Sequence, residues 1–185
     1  MKRTFALVLA VALIATLAGC SSDQGKSLAD SKSPAQFLRT EAINRLPGHL
    51  FEQPDSTSDV SVPCKKAKDD PNELYREWKS TAEIQLYKEA AKKVDRVVDN
   101  LVETFLKQGW SDRSLGGAGV EHSRFIWSDK SLALLRVTGK YEGVDPLAVS
   151  VNDDAIATLT IETRGPCVLT GGADSEEVKK LEGRA

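Results

Sequence analysis

The chain has 185 residues, 25 of them Lys or Arg and 27 Asp or Glu, so its formal charge is −2 with both histidines neutral. A mildly acidic surface lacks the basic footprint that a nucleic-acid backbone requires, and no nucleic-acid partner is expected. At ~100–200 residues per domain, the length suits one folded unit with one hydrophobic core.

Lys2 and Arg3 place two positive charges before an apolar run from Phe5 to Leu17, which closes on the small residues Ala18 and Gly19. This charged, apolar, small-residue order is that of an export signal. The run is shorter than the ~20 residues a transmembrane helix needs, and the polar Ser21, Ser22 and Asp23 follow directly. Leu17-Ala18-Gly19-Cys20 resembles the lipobox of bacterial lipoproteins. The resemblance implies a diacylglyceryl group on the Cys20 thiol, cleavage just before it, and anchoring at the outer face of the cell membrane. Each buried methylene contributes ~0.8 kcal/mol, so two or more acyl chains hold a protein stably where one does not. Removing residues 1–19 takes away Lys2 and Arg3 and no acid, which moves the charge from −2 to −4.

Residues 20–33 read as the lipidated cysteine and a polar tether, because Ser, Asp and Lys dominate and no apolar periodicity appears. Pro34 is expected to open a short helix through Arg45, with Phe37, Leu38, Ala42, Ile43 and Leu46 on one side and Pro47-Gly48 ending it. Val60 to Pro63 is a short extended segment leading to Cys64. With Cys20 assigned to lipid, Cys64 and Cys167 remain as one even pair, expected to form a structural disulfide in an oxidising compartment. From Trp78 to Tyr87 apolar and polar residues alternate as in a strand. Ser80 and Glu83 also match a capping box, so a helix starting near Thr81 competes with the preferred strand.

From Lys88 to Gln108, Ala91, Val94, Val98, Leu101 and Phe105 recur at steps of three and four, which predicts one long amphipathic helix. Gly109 supplies its left-handed end. After Trp110 the period becomes two, with strands near Ser123–Trp127, Leu132–Thr138, Leu147–Val151 and Ala155–Thr163. Turn chemistry separates them, at Ser128-Asp129, Gly139 to Gly143 with Asp145-Pro146, and Asn152 to Asp154. Such short connections build antiparallel pairs. Residues 171–185 read as a flexible C-terminal tail, with at most one helical turn after Ser175. The predicted fold class is α+β: an antiparallel sheet of about four to five strands, packed by one long amphipathic helix plus a short N-terminal helix, in a single domain over residues 34–170. The order of lipobox, tether, Pro-Cys, amphipathic helix ending in Gly109-Trp110, strands and Gly-Pro-Cys resembles small actinobacterial lipoproteins of the mycobacterial type. That resemblance implies a location and carries no catalytic residues.

Reactive constellations are not evident in the sequence. His49 and His122 lack partners at ligand spacing, and Glu121 points away from His122 in an extended segment. Gly116 to Gly119 precedes a strand rather than a helix and lacks the Lys-Ser/Thr of a phosphate loop. Asp69-Asp70 and Asp153-Asp154 fit turns better than a calcium loop. No metal, no cofactor and no catalytic residue is therefore expected. Trp78, Trp110 and Trp127 are the remaining signal: core packing is the ordinary fate of such rings, but two of them facing a groove between helix and sheet would suit an apolar or sugar-containing ligand. The expected function is a non-catalytic binding or interaction module of the cell envelope, held to the membrane by its acyl anchor, with an envelope protein as partner. A carrier or sensor for a lipid or glycolipid is the alternative, and an envelope hydrolase with an unrecognised site is the third reading.

Overall fold

The computed structural model describes residues 26–114, 121–142 and 156–184. In chain order the elements are α1 (Leu28–Asn44), β1 (Ser56–Pro63), β2 (Tyr75–Leu86), α2 (Lys88–Ala91), α3 (Val94–Leu106), β3 (Ser111–Asp112), β4 (Glu121–Ser128), β5 (Ala133–Glu142), β6 (Ile156–Arg164), β7 (Val168–Leu169) and α4 (Glu176–Leu181). Among the described residues the strands form one seven-stranded sheet in the order β1-β2-β6-β5-β4-β3, with β7 also pairing β2. All pairings are antiparallel. The fold is α+β.

Alternation explains how the sheet buries one face. On β2 the residues Trp78, Ser80, Ala82, Ile84 and Leu86 are buried while Lys79, Thr81, Glu83 and Gln85 are not. Residues 78–86 therefore resolve as strand and not helix, and the strand stops one residue short of Tyr87. Ile126, Leu135, Val137, Leu159 and Ile161 continue the same buried face across β4, β5 and β6. The helices lie over it, with α1 against β2 and β6, and α3 against β4 and β5. The apolar residues of this layer form the main core, in which Ala91, Val94, Val98, Leu101 and Phe105 are all buried.

Several finer expectations are corrected. Among the described residues the sheet has seven strands where four to five were expected: the extended segment expected at Val60–Pro63 begins at Ser56 and pairs with β2 as β1, and β3 and β7, two residues each, are too brief to leave a period in the sequence. The long helix is divided: α2 ends at Ala91 and α3 starts at Val94, with Lys93 at φ −135° and ψ 33° between them. The break lets α2 lie against β6 while α3 crosses β4 and β5. Gly139 belongs to β5 rather than a turn, and a Cβ there would lie 2.5 Å from Val94 Cγ2, so α3 approaches the strand at this point. Gly109 takes φ 87°, the left-handed conformation its position calls for. The segment Leu147–Val151 lies outside the described residues.

The two ends of the fold also differ from expectation. The N-terminal helix begins at Leu28, not Pro34, and runs 17 residues, longer than α3 with 13. Asp30 accepts from the backbone N–H of Ser27 at 2.7 Å and from its hydroxyl at 3.0 Å, which holds the first turn. Pro34 sits inside the helix at the expense of one backbone hydrogen bond. The compensation is burial: Leu28, Ser31, Ala35, Leu38 and Ala42 face inward, and Phe37 points to solvent at 70% exposure. Residues 28–33, expected in a polar tether, are helical instead. At the other end, α4 is docked rather than loose, since Val178 is fully buried in a second cluster with Leu28, Ala35, Trp78 and Val168. Glu177 Oε1 accepts from the Leu28 N–H at 2.6 Å, and Glu182 Oε1 accepts from the Ser61 N–H at 2.8 Å. The expected disulfide is present: Cys64 and Cys167 are bonded, with Cα atoms 5.8 Å apart across a separation of 103 residues.

Candidate functional site

A cavity of about 480 Å³ opens where the end of α1 meets α2 and α3. Leu46, Pro47 and Leu50 form one wall, and Ala90, Val97 and Leu101 form the other. The rim carries Arg45, His49, Tyr87, Glu89, Lys93, Arg96, Asn100 and Thr104. Positions 93, 96, 97, 100, 101 and 104 recur at helical spacing, so one stripe of α3 and its cap lines the opening for roughly 16 Å.

Arg45 fixes the width of this opening. Its guanidinium donates to the Thr104 carbonyl at 3.2 Å, the Thr104 hydroxyl at 3.1 Å and Gln108 Oε1 at 2.8 Å. It also pairs with Glu41 and lies 4.0 Å over the Phe105 ring. The far wall is held by the Tyr87 N–H, which donates to the Leu50 carbonyl at 3.0 Å. The groove therefore has apolar sides braced at both ends, an arrangement suited to an elongated ligand with an apolar portion.

None of the three tryptophans lines this groove. Trp78 is fully buried in the second cluster, where its Nε1 donates to Asp59 Oδ1 at 3.0 Å and Lys32 Nζ sits 4.4 Å above its ring. Trp110, partly buried, packs edge-on against Phe105 at 5.4 Å, at the margin of the main core. Trp127 lies on the opposite face of the sheet from Ile126, and its Nε1 donates to Asp129 Oδ1 at 2.8 Å. The structure does not gather them into a site. Of the two histidines, His49 is exposed at the groove rim. Cys20, the lipobox residues Leu17, Ala18 and Gly19, Gly116 to Gly119 and Asp153-Asp154 lie outside the described residues. Asp70 is buried and accepts from the N–H groups of Leu74 at 3.0 Å and Tyr75 at 2.7 Å, a turn role.

A second constellation joins α3 to the sheet. Asp99 Oδ1 contacts His122 Nε2 at 3.0 Å and accepts from Arg124 Nη1 at 2.6 Å, while Arg124 Nη2 pairs with Asp112. Burial raises the Asp99 carboxyl, but hydrogen bonds from His122 and Arg124 outweigh it and hold the group below the ordinary value. Hydrogen bonding from Ser114 and Arg124 likewise lowers Asp112. His122 thus has a partner 23 positions away, invisible to any search at helical spacing. Asp99 and Asp112 thus engage His122 and Arg124, and the set joins α3 to β3 and β4 as a clasp. Among the described residues no group of three or more His, Cys, Asp or Glu is arranged to hold a metal ion.

No family model matches the chain, and neither a curated protein nor a solved structure does.

Proposed function

We propose that the protein is a lipid-anchored lipoprotein of the cell envelope whose exported domain is a non-catalytic binding module, with the groove at the end of α1 as its ligand site. The observation that carries this reading is the cavity itself. Its volume of about 480 Å³ lies within the ~300–1,000 Å³ span of small-molecule sites, and its walls are mainly aliphatic. An apolar interior favours the carrier or sensor form of the function over a scaffold that meets partners through a flat surface.

The anchor fits this site. Seven residues separate Cys20 from Leu28, so the chain between them reaches no more than ~29 Å. The groove lies at the opposite end of α1, a helix of 17 residues spanning ~25 Å. A domain held by Cys20 would keep its opening clear of the headgroups. In cell fractionation, Cys20→Ala is expected to lose lipid labelling and membrane retention; a variant that stays labelled and membrane-bound sinks the anchor assignment. Native mass spectrometry of protein extracted from membranes tests the groove. A copurifying small molecule is expected on the wild type and absent from Asn100→Trp, which fills the opening from an exposed position. Extracts that never carry an added mass, from any membrane source, count against the binding module.

A further inference from the structure

We infer that the groove accepts a single-chain anionic amphiphile, an acyl chain ending in a carboxylate or phosphate, with its head held by Lys93 and Arg96. The inference rests on the groove being a ligand site and adds the charge and orientation of what it holds.

Charge at the rim is the first support. The chain as a whole carries more acid than base, yet three of the four ionised side chains lining the opening are cations, Arg45, Lys93 and Arg96, against the single acid Glu89. Arg45 is already engaged by Glu41, Thr104 and Gln108, and Glu89 pairs with Lys92 at 3.4 Å. Lys93 and Arg96 are exposed, and among the described residues neither has a carboxylate partner. They sit one helical turn apart on the same stripe as Val97 and Leu101. Two unspent cations beside an aliphatic trough match a ligand with an acid at one end and hydrocarbon along the rest.

Shape supplies the second. The lined stripe is elongated, running from Lys93 to Thr104. Leu46, Leu50, Ala90, Val97 and Leu101 offer hydrocarbon contact along its length and no buried charge. His49, exposed on the facing wall, adds a ring N–H that can donate to the same head. A diacyl lipid would need room for a second chain, and the cavity of about 480 Å³ lies toward the small end of ligand sites.

The experiment uses the chain from Ser21 onward, which retains every contact described above. Its probes are a sixteen-carbon fatty acid, a monoacyl glycerol phosphate with the same chain, and the neutral monoacyl glycerol. Displacement of a fluorescent acyl probe is measured for the wild type, for Lys93→Glu with Arg96→Glu, and for Asn100→Trp. The acids are expected to bind about tenfold more tightly than the neutral lipid, with the advantage shrinking as salt rises. Charge reversal should remove that advantage. The two acids tell a carboxylate preference from a phosphate preference. Equal binding of acids and neutral lipid, unmoved by charge reversal but lost in Asn100→Trp, overturns the head assignment and leaves the groove standing. Binding that survives Asn100→Trp places the amphiphile elsewhere and overturns the inference. If no amphiphile binds while a small molecule still copurifies with the wild type, the inference falls and the binding module stands.

Discussion

The carboxylate of Asp99 contacts His122 and Arg124, and Asp112 takes Arg124 from its other side, so α3, β3 and β4 meet through four side chains. Both acids titrate below the ordinary carboxylate value: hydrogen bonds overcome burial at Asp99, and hydrogen bonding from Ser114 leads at Asp112. An acid whose folded value is depressed adds stability that is complete above its unfolded value, near ~3.9 for Asp. That stability is lost as pH falls through the lower folded value. The clasp is partly exposed, and its worth at neutral pH is about 1 kcal/mol after solvent screening. The Tm of the wild type should therefore drop more steeply than that of Asp99→Asn between about pH 5 and pH 2, and the gap between them should close in acid. Parallel Tm curves would show that the clasp contributes nothing.

The helices ride close on the sheet at two glycines, and the partners they meet predict different tolerances. A Cβ at Gly139 would lie 2.5 Å from the end of the Val94 side chain, whereas one at Gly165 would lie 2.1 Å from the backbone carbonyl oxygen of Ser31. A side-chain methyl can shift and a helix backbone cannot do so alone. Gly139→Ala is expected to cost ~1–3 kcal/mol in urea unfolding, and Gly165→Ala more, because the α1 backbone must lift from the end of β6. The opposite order would mean that α1 is the looser of the two helices. Local pattern made much of this layer legible in advance: alternation marks β2, β4, β5 and β6, and the buried stripe from Ala91 to Phe105 is the one observed. The start of α1 was not legible, because Leu28 earns its place only against Trp78, Val168 and Val178, residues far away in the chain. Pro34 reads as a helix opener, yet that distant burial outweighs its missing N–H. The break at Lys92-Lys93 leaves the apolar spacing intact on both sides and so gives no signal. The groove was hidden for the same reason as Leu28: Leu46 and Leu50 meet Val97 and Leu101 only after α1 and α3 have docked.

At the scale of the molecule, the single disulfide ties the end of β1 to the approach of β7 across 103 residues. For a loop of that size the chain-entropy model assigns ~4.7 kcal/mol, against a typical total of ~5–15 kcal/mol. Replacing Cys64 and Cys167 together by Ala should lower unfolding stability by ~2–5 kcal/mol, and reductant should then have no further effect on the variant. A variant as stable as the oxidised wild type would assign the burden of stability to the two cores alone.

The docking of α4 against the first turn of α1 bears on the order in which the molecule can be made. Leu28 is covered by Val178 and its amide is taken by Glu177, so the earliest part of the fold to emerge from a ribosome or a pore stays open until nearly the last. The second cluster cannot assemble on a nascent fragment that lacks Val168 and Val178, and β6, at the centre of the sheet, also arrives late. Such a chain remains threadable for most of its synthesis and closes only once its tail is free, which is the timing a polypeptide needs if it must pass a narrow channel before it folds.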